Sequence, residues 1–159
     1  MKLSNGVEWA LHCCVSLTQS QAPVSAARIA KLHGIPSAYL AKHLQSLSQA
    51  GILRSTPGPT GGYVLTRAPA QITVLDVVLA IDGPEPAFRC TEIRRKGPLG
   101  LGPEKCRTPC AVSRAMAVAD SAWRAALKGI TIADLAQDIE ADSSGSAMGP
   151  VRQWLAATG

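Results

Sequence analysis

"PVSAARIAKLHGIPSAYLAKHLQSLSQAGIL", residues 23–53, holds two apolar helical periods separated by one glycine, and its reading decides the fold. Ser25 is placed to cap a short helix whose apolar positions are Ile29, Ala30 and Leu32, and Gly34 ends it. Pro36 or Ser37 opens a second helix that carries Leu40, Leu44 and Leu47 on one side. Helix, tight glycine turn, helix is the helix-turn-helix pattern. The second helix exposes Ser37, Tyr39, Lys42, His43 and Ser46, side chains of the kind that reach base edges and phosphates.

The next stretch, "ILRSTPGPTGGYVLT" (52–66), is two β-type runs around a Pro/Gly tip, which predicts a hairpin whose glycines supply the turn's positive φ angles. A helix-turn-helix followed at once by a hairpin predicts a winged helix, with the wing against DNA. Thr73 and Asp76 then form a capping-box start to "TVLDVVLAID", which Gly83 and Pro84 end.

Charge supports a phosphate-facing surface. The 159 residues have a net charge of +5, and no carboxylate lies between Glu8 and Asp76, while Arg28, Lys31, Lys42, Arg54 and Arg67 all do. There is neither a long apolar run nor a charged leader before an apolar block, so no membrane span or signal peptide is read and a cytoplasmic protein is expected. Five cysteines, an odd number, argue against a disulfide framework and for metal binding or thiol chemistry. No Ser/His/Asp arrangement, phosphate loop or paired-carboxylate site suggests an enzyme.

Upstream, Ser4 precedes an apolar run that predicts a first helix to about residue 20, with Val7, Ala10, Leu11, Cys14, Val15 and Leu17 on its core side. Glu8 and His12, four apart, lie together on a separate face, with Trp9 and Cys13 on its far side. Downstream, the Gly/Pro-rich loop to Pro109 holds Cys90 and Cys106, and "CAVSRAMAVADSAWRAALKG" (110–129) is a strong helix with Cys110 in its first turn. The apolar stripe of that helix, Val112, Ala115, Met116, Ala119, Ala122, Trp123 and Leu127, suits pairing with a second copy. Thr131 and Asp134 open one more helix, and residues 141–159 are expected to form a mobile tail.

The spacing C-x15-C-x3-C matches neither a zinc ribbon nor a C-x-x-C redox motif. A helix N-terminus at Cys110, with Arg89, Arg94, Arg95, Lys105 and Arg107 around it in sequence, nevertheless favours thiolate, as a ligand or a reactive group.

The ordered combination of "KLSNGVEWAL" (2–11), "IPSAYLAKHLQSLSQAGILRS" (35–55), "GGYVLT" (61–66), "ITVLDVVLAIDG" (72–83) and a cysteine loop leading into a long helix resembles the IscR/NsrR/RsrR family of bacterial winged-helix iron–sulfur regulators. The wide cysteine spacing and "GVEWALHCC" resemble its RsrR branch. The resemblance implies a homodimer that binds palindromic promoter DNA, with a [2Fe–2S] cluster whose ligands are cysteine, glutamate and histidine, drawn from both subunits. By that likeness Glu8, His12, Cys90 and Cys110 hold the cluster, with Cys106 in reserve as the second thiolate. Trp9, beside Glu8, is the bulky side chain that transmits a cluster change to the DNA-binding helix.

The expected architecture is thus mainly α with a small β-hairpin wing. It has a winged helix-turn-helix over 1–83, a cluster-binding loop over 84–110, and a dimerisation helix with a short following helix over 111–140. Arg28, Ser37, Tyr39, Lys42, His43 and Arg54 are the expected DNA contacts. The family's wing often carries an arginine where this chain has Pro57, which limits Arg54 or Arg67 to backbone contacts. Two rival switches use the same cysteines: a zinc site, and a Cys106–Cys110 disulfide.

Overall fold

A computed structural model describes residues 3–157. Residues 1 and 2 of the expected winged domain, and 158 and 159 of the expected tail, lie outside the described residues. The chain divides into two compact units, one over 85–126 and one formed by the stretches before and after it.

The larger unit is built around helix α1 (Asn5–Leu17), which packs against α3 (Ser37–Gln49), α4 (Val74–Asp82), α6 (Ile132–Asp142), α7 (Met148–Ala156) and the wing. Neighbours on so many sides bury Val7, Ala10, Cys13, Cys14, Val15 and Leu17. Cys13 was expected on the far side of the Glu8 face, away from the core; the core reaches that side as well, and Cys13 is fully buried. Ser4 holds the N-cap position without capping, because its hydroxyl donates to Asp82 Oδ1 at 2.5 Å and its amide to Asp82 Oδ2 at 3.0 Å. The start of α1 is thereby tied to the end of α4.

Helix α2 (Ala26–His33) is capped by Ser25, which accepts from the Arg28 amide, and Gly34 takes the left-handed φ of 64° that turns the chain into α3 (Ser37–Gln49). Leu40, Leu44 and Leu47 are fully buried, as the period demands. Strands β1 (Leu53–Thr56) and β2 (Gly62–Leu65) pair antiparallel with Leu53 opposite Leu65 and Thr56 opposite Gly62. The fold is a winged helix-turn-helix, mainly α with one small hairpin.

A short bridge joins this hairpin to the helix-turn-helix: Val24 and Tyr63 exchange backbone hydrogen bonds of 3.0 and 2.8 Å. Gly62 is required beside it, since a Cβ there would collide with the Val24 carbonyl.

The two predicted capping boxes are present. Thr73 with Asp76 starts α4 (Val74–Asp82), and Thr131 with Asp134 starts α6 (Ile132–Asp142). The two threonines form an antiparallel bridge, so both helices start from one pinned point. Where a mobile tail is expected, the chain forms a further helix, α7 (Met148–Ala156), whose Met148 and Leu155 join the core cluster. Burial of those two side chains and docking on α2 supply the stability that the preceding Ser/Gly run conceals.

The smaller unit contains the cysteine loop, with two 3₁₀ turns at Ile93–Arg95 and Pro103–Cys106, and most of α5 (Ala111–Lys128). None of the described residues of α5 is buried, and Val112 and Met116 of its apolar stripe are 61% and 39% exposed. No helix among the described residues is long and apolar enough to cross a membrane.

Candidate functional site

The thiol groups are gathered by the loop of the smaller unit. Cys110 stands immediately before α5, where its carbonyl accepts from the Arg114 amide at 2.9 Å and its Sγ accepts from the Ser113 amide at 3.3 Å. A sulfur thus does what a serine hydroxyl does at an N-cap. That backbone bond, then the Val112 amide, the charge of Arg94 and a hydrogen bond with the Cys90 thiol, lower the Cys110 pKa against a smaller opposing effect of desolvation. Cys90, exposed, accepts from the Glu92 amide at 3.4 Å. Cys90 thus lies near enough to Cys110 for its thiol to contribute to that lowering, although residues 91–109 separate the two. Cys106 ends the second 3₁₀ turn, half-buried, and lies with Cys110 within the field of Arg94.

The carboxylate and imidazole candidates stand on α1 in the larger unit. Glu8 and His12 are exposed on successive turns and border a cavity of about 250 Å³ that Trp9, His33 and Ile35 complete. His33 was not singled out from sequence. Its ring centroid lies 6.0 Å from that of His12 and its Nε2 is 3.1 Å from Ser16 Oγ, while burial, and then His12, lower its pKa. Trp9 packs edge-on against His43 of α3, centroids 5.8 Å apart, and the His43 ring fills the space left by the missing side chain of Gly6. Trp9 is thus in contact with the helix expected to read DNA.

Among the described residues no three His, Cys, Asp or Glu side chains are close enough together to hold a metal ion. Each unit supplies one pair: two thiols in one, a carboxylate and an imidazole in the other. Cys13 and Cys14 are unsuited to metal or redox chemistry, since burial pushes the Cys13 thiol up to about 12 and raises that of Cys14 as well.

The helix-turn-helix presents Ser37, Tyr39 and Lys42 to solvent, with Tyr39 65% exposed, and Arg54 stands exposed on β1. Two expected DNA contacts are placed differently. His43 is half-buried against Trp9, and Arg28 is half-buried, its Nη1 donating to the Trp154 carbonyl at 3.0 Å. Trp154 and Arg94 are the further residues that the sequence reading left without these roles. Arg94 is visible there only as one of several loop cations, and the part of Trp154 depends on a helix that was not expected.

The profile of the Rrf2 family, described as an iron-dependent transcriptional regulator, matches residues 3–138. The chain belongs to the Rrf2 family. Protein rrf2 of Nitratidesulfovibrio vulgaris is 31% identical over 131 residues, 78% of each chain. The regulator IscR of Cronobacter sakazakii is 36% identical over 95 residues, 59% of this chain and 56% of IscR. Among solved structures, CymR, the global cysteine regulator of B. subtilis, superposes with a TM-score of 0.64 at 25% identity, covering 86% of this chain and 97% of CymR. As a member of the Rrf2 family this protein is a DNA-binding transcriptional regulator, in keeping with relatives that are named as regulators. Helix α7 lies beyond the span that the Rrf2 profile matches.

Proposed function

We propose that this Rrf2 regulator is a homodimer whose binding to promoter DNA is switched by the redox state or occupancy of a [2Fe–2S] cluster, as in the RsrR branch it resembles. In this reading Cys90 and Cys110 are the thiolate ligands, Cys106 remains in reserve, and Glu8 and His12 complete the set, with ligands drawn from both subunits. The carrying observation is the closure of the cysteine loop at Arg94, which bridges Glu92, two residues after Cys90, to Thr108, two residues before Cys110.

The donor set fits such a group. Two thiolates, a carboxylate and an imidazole can fill the four terminal positions of a [2Fe–2S] cluster, which need not all be cysteine. When bound, the cluster supplies a one-electron change of charge. The protein's part is to hold thiolate at Cys110 and to offer Glu8 and His12 unburied on adjacent turns. It also couples α1 to α3 through Trp9 and His43. The bare apolar stripe of α5 is the surface that a second copy would cover.

The first test is the visible absorption of anaerobically purified protein, with iron and sulfide content, before and after dithionite. A coloured protein that bleaches reversibly, and that loses iron in Glu8→Ala, His12→Ala, Cys90→Ser and Cys110→Ser, is the expected outcome. Protein that is colourless and iron-free, or that carries zinc alone, overturns the reading.

The likeness to CymR and the same loop closure favour a second reading, a thiol–disulfide switch between Cys90 and Cys110. That switch predicts metal-free protein whose DNA response to oxidant survives Glu8→Ala and His12→Ala.

A further inference from the structure

A pair of cysteines separated by residues 91–109 is not brought together by local chain geometry. Loops of this length must be closed against their entropy, and this one is rich in glycine and proline. The closing contacts converge on one guanidinium. Arg94 Nε donates to Glu92 Oε1 at 2.6 Å, and its Nη2 donates to Glu92 Oε2 at 2.8 Å and to the Thr108 carbonyl at 2.9 Å. Glu92 lies two residues after Cys90 and Thr108 two residues before Cys110, so Arg94 spans both ends of the loop. The Arg94 carbonyl is used as well, accepting from the Leu101 amide at 2.7 Å.

Two further observations separate this arginine from the other loop cations. The Arg94 and Glu92 side chains are 23% and 32% exposed, whereas the nearby Arg89–Glu85 pair is 82% and 71% exposed and solvated. Glu92 also adopts a left-handed φ of 52°, which a residue with a side chain takes only when its surroundings hold it there. That turn directs the Glu92 amide to Cys90 Sγ while the carboxylate faces Arg94.

We propose that Arg94 is the positioning residue of the thiolate pair: its fork bridges Glu92 to Thr108, holds Cys90 against Cys110, and places a fixed positive charge beside the sulfurs. The geometric part holds with or without a cluster. The electrostatic part rests on the proposed function: a cation beside a cluster favours its reduced, more negative form and raises the reduction potential. Lysine can supply the charge but cannot donate to Glu92 and Thr108 through a rigid fork, so Arg94→Lys and Arg94→Gln separate the two parts.

The test uses the full chain. In metal-free protein, dibromobimane, which alkylates two thiols a short distance apart with loss of two bromides, reports the Cys90–Cys110 pair by peptide mass. Far-UV circular dichroism checks that each variant is folded. Arg94→Gln and Arg94→Lys are both expected to lower the cross-linking yield several-fold. An unchanged yield in Arg94→Gln, or full recovery in Arg94→Lys, overturns the staple. In protein reconstituted with iron and sulfide, Arg94→Gln is expected to shift the midpoint potential negative and Arg94→Lys to restore most of the shift. Equal potentials in all three overturn the charge role. Failure of every form, wild type included, to take up a cluster refutes the proposed function and this charge role with it, while cross-linking still decides the staple.

Discussion

Cys13 and Cys110 are the same residue type with opposite chemistry, and the difference is one of surroundings. With a thiol pushed up to about 12, Cys13 holds only about 10⁻⁴ of its population as thiolate at pH 8. Cys110, bonded by a helix-start amide and close to Arg94, holds more than an ordinary thiol. In metal-free protein, iodoacetamide at pH 8 is therefore expected to label Cys110 well before Cys13 and Cys14, which react only on unfolding; peptide mass mapping over time checks the order. Asp134 is a second case. The Thr131 hydroxyl and amide hold its carboxyl below the usual range, so the folded state binds its proton less readily than the unfolded state. Its contribution to stability is present above the ordinary carboxylate pKa and is lost as pH falls through the lowered one. Thr131→Val should therefore flatten the acid limb of a stability profile below about pH 4, read by urea unfolding. In the core, Leu44 is fully enclosed, and Leu44→Ala should cost about 2–5 kcal/mol in the same assay. Both capping boxes and this leucine are legible in the sequence because they are set by spacing along one helix. His33 is not, because its role depends on a neighbour, Ser16, on another helix.

At the scale of elements, the short helix α2 buries only Ile29 and Ala30, and it is held by α3 on one side and by α7 as well. The Arg28 side chain donates to the Trp154 carbonyl, Trp154 Nε1 donates to the Arg28 carbonyl at 3.4 Å, and Lys31 Nζ lies 5.6 Å from the centre of the indole. Trp154→Ala should destabilise the protein by about 1–3 kcal/mol. Hydrogen exchange should show the loss first in the amides of α2, with those of α4 little changed. The winged helix was readable because helix period, glycine turn and hairpin each leave a local pattern. Helix α7 was not, because Gly149 and Pro150 lie in its first turn and a Ser/Gly run precedes it; what makes it helical is the surface it meets. The candidate site divides in the same way. The residue types and the Glu8/His12 face follow from helical spacing, whereas the approach of Cys90 to Cys110 depends on a loop whose path the spacing does not encode.

At the scale of the molecule, the long acid-free interval places Lys42 and Arg54 on a surface with little opposing charge, and binding to promoter DNA should weaken steeply with salt. Replacing Lys42 by alanine should lower the slope of log affinity against log salt by about one and weaken specific and non-specific DNA alike, whereas Tyr39→Ala should change the slope little. The short bridge between Val24 and Tyr63 bears on how such a protein is switched. Because two backbone hydrogen bonds fasten the wing to the entry of α2, wing and helix-turn-helix are expected to act as a single reading head. In a two-fold dimer, a signal that acts through such heads changes the distance and rotational phase between them along the duplex. What the regulator senses is then expressed in base pairs: inserting or deleting one pair at the centre of its operator should change which state of the protein binds best, with both half-site sequences left intact.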